Sequence, residues 1–335
     1  MMNYSEFPYL FESFSKKKIL VIGDVMVDSY MIGKVDRISP EAPIPIVTIS
    51  HKENRLGGAS NVALNLQVLG AEPLLCTVVG NDAMGTVFHR LMEENKLRQV
   101  GIIDDETRMT TSKTRIIGHN QQLLRVDEET TADISSDTEK KLLNAFHDLI
   151  STFTIDAIIF EDYDKGVITR SLIEKTEQIA HTRNIPLCVD PKKRNFGNYR
   201  NVSLFKPNLK EISEGLKIEI TKNNKASLAE AVTSLHNNSG HNIIMVTLAE
   251  KGVFISDGKQ HLAIPATVRD IADVSGAGDT VISTATLCLV SGLDIIDIAR
   301  ISNIAGGLVC EKVGVVPVDR ELLLSECLRL FVDQK

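Results

Sequence analysis

The sequence predicts an α/β fold: a mostly parallel central sheet with helices on both faces, and a small β-sheet lid beside it. Two observations give the main layer. Short β-branched runs alternate with helical patterns for most of the length, and those runs are apolar throughout, as strands covered on both faces must be. A third gives the lid: two segments, about 30–50 and 109–127, hold strand patterns with no helix between them.

The elements follow in order. Ile19-Leu20-Val21-Ile22 is the first strand, and the same pattern recurs at 74–79, 157–160, 187–189, 203–205, 243–247 and 253–256. Apolar spacing of about 3.6 predicts helices over 59–69, 87–94, 138–150, 170–182 and 228–236. From 276 to 330 the pattern is three helices with no clear strand. Within the lid segments, Ile44 to Ile49, Lys113 to Ile117 and Gln122 to Val126 read as short strands that pair as an antiparallel sheet over one edge of the layer. No repeat or long linker marks a second unit, so a single domain over 1–335 is expected, with the lid inserted in it.

With 43% hydrophobic and 24% charged residues, the 335-residue chain can bury a core, which excludes disordered, collagen-like and coiled-coil classes. A net charge of -7 argues against a broad basic face for nucleic acid or an anionic membrane, so an anionic substrate must be met by a local basic cluster. Five separated cysteines, with no CxxC pair, suit reduced buried thiols in the cytoplasm. Lys16-Lys17-Lys18 before the first strand imitates a signal peptide, but Gly23 and Asp24 end the apolar run too early, and no run approaches the roughly 18 residues of a membrane span. A cytoplasmic protein without nucleic-acid or membrane partners is expected.

Three motifs carry chemistry. Asp273-Val274-Ser275-Gly276-Ala277-Gly278-Asp279-Thr280 opens a helix, where small residues admit an anion to unpaired N–H groups and Asp279 stands in the first turn. A plain tight turn with N-terminal helix charge would read the same way. Gly23-Asp24-Val25-Met26-Val27-Asp28 follows the first strand, and Gly57-Gly58-Ala59-Ser60-Asn61 opens a helix. Asp24 and Asp28 could take sugar hydroxyls at a strand end, or Asp24 could cap a helix and the glycines form a turn. Asn208-Leu209-Lys210-Glu211 places Asn208 and Glu211 on one helix face, suited to Mg²⁺ through water or to a capping box. Lys192, in Asp190-Pro191-Lys192, is a further phosphate candidate.

In this order the motifs resemble the ribokinase-like (PfkB) carbohydrate kinases across essentially the whole chain, with Gly57-Gly58 as the glycine pair and Asp273 to Asp279 as the D-x-[TS]-G-A-G-D signature. Within that family five blocks are similar to the branch acting on D-glycero-D-manno-heptose 7-phosphate: Arg37 to Pro43, Gly57 to Ala63, Asn120 to Arg125, Asp162 to Gly166 and Asp190 to Lys192. The resemblance implies a three-layer α/β/α kinase using ATP and Mg²⁺ to phosphorylate the anomeric hydroxyl for ADP-heptose and lipopolysaccharide synthesis. Asp279 would be the base, and Gly276, Ala277 and Gly278 the anion hole. Asp28, Gly57, Gly58, Asn61, Gln122, Arg125, Lys165 and Lys192 would meet the sugar phosphate. Asn208, Glu211, Thr247, Gly252, Ser275, Asn303 and Gly314 would border the nucleotide, with Asn208 and Glu211 on Mg²⁺. A monovalent cation near the 270–272 loop is a further candidate, as is a homodimer through unpaired lid edges. With no HxGH motif in the chain, nucleotidyl transfer is expected from a separate polypeptide.

The alternatives are a PfkB-type kinase for another sugar and a non-catalytic sensor on the same fold. The chain departs from its relatives at Glu161 and Asp164, where Ser-Asp-Tyr-Gly-Lys-Gly is usual, and at Lys206, where Thr-Pro-Asn is usual.

Overall fold

A computed structural model describes residues 4–119, 121–220 and 225–332. Asn120, part of one resemblance block, lies outside the described residues. In chain order the elements are α1 (Phe7–Phe14), β1 (Lys18–Gly23), β2 (Val25–Ile38), β3 (Pro45–Gly58), α2 (Ala59–Val68), β4 (Glu72–Gly80), α3 (Ala83–Glu94), β5 (Gly101–Asp105), β6 (Ser112–Gly118), β7 (Gln121–Glu128), α4 (Ser136–Thr152) and β8 (Ala157–Glu161). They continue as α5 (Arg170–Arg183), β9 (Leu187–Asp190), β10 (Leu204–Phe205), α6 (Leu209–Leu216), α7 (Lys225–Ser239), β11 (Ile243–Thr247), β12 (Val253–Ser256), β13 (His261–Ile264), α8 (Ala277–Val290), α9 (Ile295–Cys310) and α10 (Arg320–Val332).

The two-residue period of the strands divides the core. Ile19 and Val21 of β1 and Ile159 of β8 pack under α1, α2, α3, α8, α9 and α10, whereas Leu20, Ile22, Ile158 and Phe160 face α4, α5, α6 and α7. The sheet between them runs β13-β12-β11-β10-β9-β8-β1-β4-β5, parallel except where β12 meets β11 and β13. This is the three-layer α/β/α arrangement expected. All seven expected strands belong to the sheet. Missing from the sequence reading are β5 and β13, edge strands of mixed burial whose apolar runs are short or interrupted by Asp104 and His261.

The lid differs from expectation in extent and pairing. Its four strands run β3-β2-β6-β7, and β2 pairs with β6 in parallel, so the sheet is mixed rather than antiparallel. It begins at Val25, one residue beyond β1, because the chain passes straight from one sheet into the other. Its inner ends are therefore the Asp24–Asp28 motif and the glycine pair Gly57-Gly58, for which a plain turn was the alternative. Gly57 is strand, not turn: a Cβ there would lie 2.1 Å from Asp28 Oδ2. Gly58 takes φ 60° to swing the chain into α2.

Asp24, the residue between the sheets, is not available to a sugar. Its carboxylate accepts the backbone N–H groups of Tyr163, Lys165 and Val167 at 2.9, 3.1 and 3.0 Å, and its carbonyl accepts that of Ala59 at 2.9 Å. It thus fastens the loop after β8 to the root of the lid. All five cysteines are buried free thiols, and no helix of the described residues is long and apolar enough to cross a membrane.

Replacing Asp24 by Ala orphans these buried donors. Chemical denaturation of Asp24→Ala should show a loss of about 3 kcal/mol; a loss within about 0.5 kcal/mol would show that the loop holds without it.

Candidate active site

The site forms where the root of the lid, the parallel strand ends and the start of α8 converge. Gly276 precedes α8 in the left-handed region, φ 78°, and a Cβ there would approach Asn61 Nδ2 to 2.9 Å. Only glycine gives both the turn and the clearance. The N–H groups of Gly278 and Asp279 lie in the first turn, where no earlier helical carbonyl is available, so they and the dipole form an anion cradle.

Asp279 is 2% exposed. Its Oδ2 accepts Asn61 Nδ2 from α2 at 2.7 Å, and its Oδ1 accepts the Tyr163 hydroxyl at 2.7 Å. Burial raises its pKa to about 6 although both hydrogen bonds pull the other way. A carboxylate with that pKa is ionised at neutral pH yet basic enough to take a proton from a positioned hydroxyl.

Beneath α8 lie the ends of three parallel strands. Glu161 closes β8, Asp190 closes β9 beside it in register, and Lys206 follows β10. Lys206 Nζ and Asp190 Oδ2 pair at 2.7 Å, both buried, and a Cβ on Gly278 would come within 3.5 Å of Asp190 Oδ2 and 3.6 Å of Lys206 Nζ. The first turn of α8 therefore rests over an ion pair. Burial opposes the Lys206 charge, but Asp190, Glu211 and Glu161 more than offset it and keep the ammonium charged. Glu161 is fully buried with neither oxygen hydrogen-bonded, and burial with the Asp190 and Asp279 charges pushes it well above the ordinary carboxylate range.

On the lid side, Asp28 Oδ1 accepts Arg115 Nη1 at 2.5 Å, and the Arg115 guanidinium lies 5.3 Å from the centroid of Tyr30. The Tyr30 hydroxyl accepts the N–H of Val315, and Arg55 Nη1 donates to the carbonyls of Val313 and Val315. Gly314 N–H in turn reaches Asp273 Oδ2 at 2.9 Å, and Asp273 Oδ1 takes the N–H and hydroxyl of Ser275. Lid and signature loop are thereby joined.

The candidates divide accordingly. Asp279, Gly276, Ala277, Gly278, Ser275, Asn61 and Gly314 come together at this junction, with Asp28, Gly57 and Gly58 at the root of the lid. Asn61 bonds the aspartate rather than standing free for sugar. Lys192 pairs with Glu211 and lies 3.9 Å from Asp190 Oδ1, on the strand-end side. Lys165 pairs with Glu129 at 2.8 Å. Gln122 and Arg125 lie on the Asp28 face of the lid by register, but both are exposed and Arg125 is held by Asp127 at 2.9 Å. Thr247 ends β11 and bridges to Asn208. Gly252, φ 89°, and Asn303, which donates to the Pro265 carbonyl at 2.8 Å, flank the chain that follows β13.

Asn208 and Glu211 form the reciprocal capping box of α6, with Asn208 Oδ1 accepting Glu211 N–H and Glu211 Oε2 accepting Asn208 N–H. Asn208 Oδ1 thus accepts one hydrogen bond within the cap, and Glu211 Oε1 is held by Lys192. Among the described residues no three His, Cys, Asp or Glu side chains group as a metal centre. Yet Asp190 Oδ1 is buried without a hydrogen bond, and Glu211 stands across Lys192 from it. One or two carboxylates completed by phosphate oxygens and water suit Mg²⁺. Sequence reading missed Tyr163, Lys206, Glu161, Arg115 and Lys113 as site residues. Tyr163 stood inside a quoted block, and Glu161 and Lys206 stood at quoted departures.

Residues 16–320 match the pfkB family carbohydrate kinases, so the chain belongs to that family, phosphotransferases with a hydroxyl acceptor. It is 38% identical over 298 residues to the Bifunctional protein HldE of Helicobacter pylori strain HPAG1, covering 89% of this chain and 64% of that one. Against the protein of the same name from Nitratiruptor sp. it is 40% identical over 299 residues, 89% of this chain and 62% of the relative. The chain therefore spans less than two thirds of the length of these relatives. The fold matches phosphofructokinase-2 from Escherichia coli in complex with substrates and products, with a TM-score of 0.78, 17% identity, and coverage of 94% of this chain and 99% of that one. It also matches Arabidopsis thaliana ribokinase complexed with ribose and ATP, with a TM-score of 0.69, 15% identity, and coverage of 92% and 98%.

Tyr163→Phe removes a hydrogen bond that favours ionised Asp279, so the base pKa rises. The acid limb of the kcat/KM profile should move to higher pH by about one unit, with kcat/KM at about pH 7 reduced about twofold and at about pH 5 about tenfold. A limb that stays in place would show that the tyrosine does not act on the base.

Proposed function

We propose that the chain is an ATP-dependent kinase that phosphorylates the anomeric hydroxyl of D-glycero-D-manno-heptose 7-phosphate, giving the 1,7-bisphosphate used in ADP-heptose and lipopolysaccharide core synthesis. The observation that carries the chemistry is Asp279, buried, doubly hydrogen-bonded and tuned to about 6 at the start of α8. The heptose assignment rests on the ordered sequence blocks and on relatives that share 38–40% identity over most of this chain.

In this reading Asp28 and the backbone at Gly57 hold sugar hydroxyls and set the anomeric oxygen against Asp279. The hydroxyl proton passes to the Asp279 carboxylate as its oxygen forms a bond to the γ-phosphorus and the bond to the β,γ-bridging oxygen breaks. The cradle N–H groups of Gly278 and Asp279 stabilise charge on the transferring oxygens, with Lys206 beneath them. Asp190 Oδ1 and Glu211 would hold Mg²⁺, which would add charge compensation at the phosphates. Nucleotidyl transfer to the product belongs to a different active site from this one. The protein works in the cytoplasm as a homodimer in which β7, exposed along its length and carrying Leu123, Leu124 and Val126, is covered by a second lid.

A coupled assay over a panel of sugars and sugar phosphates tests the assignment: heptose 7-phosphate should give the highest kcat/KM, and a preference for fructose 6-phosphate or ribose would overturn it. In the same assay Asp279→Ala should lower kcat by at least about 100-fold with ATP binding retained. The mass in solution should be that of a dimer, and a monomer at micromolar concentration would remove the lid-to-lid pairing.

A further inference from the structure

The charges at the root of the lid do not balance. Two ammonium groups approach the ring of Tyr163, Lys192 at 5.2 Å and Lys113 at 5.6 Å from its centroid. Lys192 is answered by Glu211 and Asp190. Lys113, half-buried on β6, makes no ion pair among the described residues.

The carboxylates facing Lys113 are Asp28 from β2, Asp127 from β7 and Glu129 just after it, and the cation facing it is Lys165 from the loop after β8. Each carboxylate already has its own cation: Asp28 holds Arg115 at 2.5 Å, Asp127 holds Arg125 at 2.9 Å, and Glu129 holds Lys165 at 2.8 Å. Four cations thus share three carboxylates, and Lys113 is the surplus charge. Burial and the like charge of Lys165 both work against its ammonium. A half-buried cation left without a counter-ion costs stability, a cost that an arriving anion would offset.

Its position limits which anion that is. Lys113 stands opposite Asp28 in the β2–β6 register, on the face of the lid that bears Asp28 and Arg115. Lys113 meets Tyr163 at its ring, whereas Asp279 meets it at its hydroxyl. An anion on Lys113 therefore lies on the Asp28 face of the lid, at the ring of Tyr163 rather than at the hydroxyl that Asp279 accepts.

We infer that Lys113, with Lys165 beside it, is the receptor for the substrate's non-reacting phosphate, a role the sequence had spread over Arg125, Lys165 and Lys192. Arg125 is exposed on β7 and Lys192 is committed to the strand-end carboxylates. The inference rests on the sugar-phosphate reading above, and the test separates the two.

Lys113→Met is compared with the wild type in two measurements. In the first, kcat/KM is taken for heptose 7-phosphate and for dephosphorylated heptose. The variant should lose about 100-fold on the phosphorylated sugar and little on the other, with KM for ATP unchanged; Lys113→Arg should keep much of the preference. An equal loss on both sugars, or none on either, overturns the assignment. In the second, inorganic phosphate is titrated calorimetrically into protein saturated with a non-hydrolysable ATP analogue, and Lys113→Met should weaken its binding at least about tenfold. If the wild type fails to phosphorylate heptose 7-phosphate but binds phosphate in a Lys113-dependent way, the substrate reading falls and the phosphate receptor stands. If the wild type turns heptose 7-phosphate over while phosphate binding ignores Lys113, the receptor falls and the substrate reading stands. Because the substitution removes an unbalanced charge, Tm of Lys113→Met should be no lower than that of the wild type, which separates a binding defect from a folding one.

Discussion

The carboxylate of Asp279 depends on contacts from three directions. Asn61 reaches it from the helix that follows the lid, Tyr163 from the loop after β8, and its own backbone belongs to the first turn of α8. None of these elements is near another in sequence, so the geometry of one aspartate depends on both sheets being in register with the helical layer. Burial there raises the pKa, and the two hydrogen bonds keep the group from going fully neutral. Moved into water, the same residue would be a far weaker base. Enclosure by the fold is therefore part of the chemistry.

The lid is coupled to that point by construction. Asp24 fastens its root to the Tyr163 loop through backbone hydrogen bonds. Tyr30 and Arg55 join its strands to the 313–315 turn, whose Gly314 N–H reaches the Asp273 of the signature loop. The lid and the signature loop thus belong to one hydrogen-bonded framework. Beneath it the Lys206–Asp190 pair and the buried Glu161 give the cradle a floor of charged and titratable groups. An acidic protein meets anionic ligands in this way, with a few cations placed under backbone N–H groups rather than spread across its surface.

Much of this was legible in the sequence where a local rule governs. Strands such as β1, β8 and β11 declare themselves because burial on both faces demands continuous apolar residues, and the start of α8 because only glycine meets its backbone and clearance requirements. Edge strands β5 and β13 were not legible, since half-exposed residues carry no clear period. The sequence left the glycine pair open between a ligand contact and a turn because Gly57 is demanded by the Asp28 side chain across the ladder, a contact no spacing encodes. Lys206, Glu161 and Tyr163 were invisible as site residues for the same reason: the groups that face them lie on elements distant in sequence. Asn208 and Glu211 show the converse, a pattern open to two readings, of which the structure displays the capping box.

The most direct test of this account is the titration of the Asp279 carboxyl itself, followed by carbon NMR in protein labelled at its aspartates and assigned by comparison with Asp279→Asn. A midpoint near 6 would show that the convergence of lid, loop and helix makes the base. A midpoint near the ordinary aspartate value of about 4 would contradict it, and the origin of the reactivity would have to be sought elsewhere in the site.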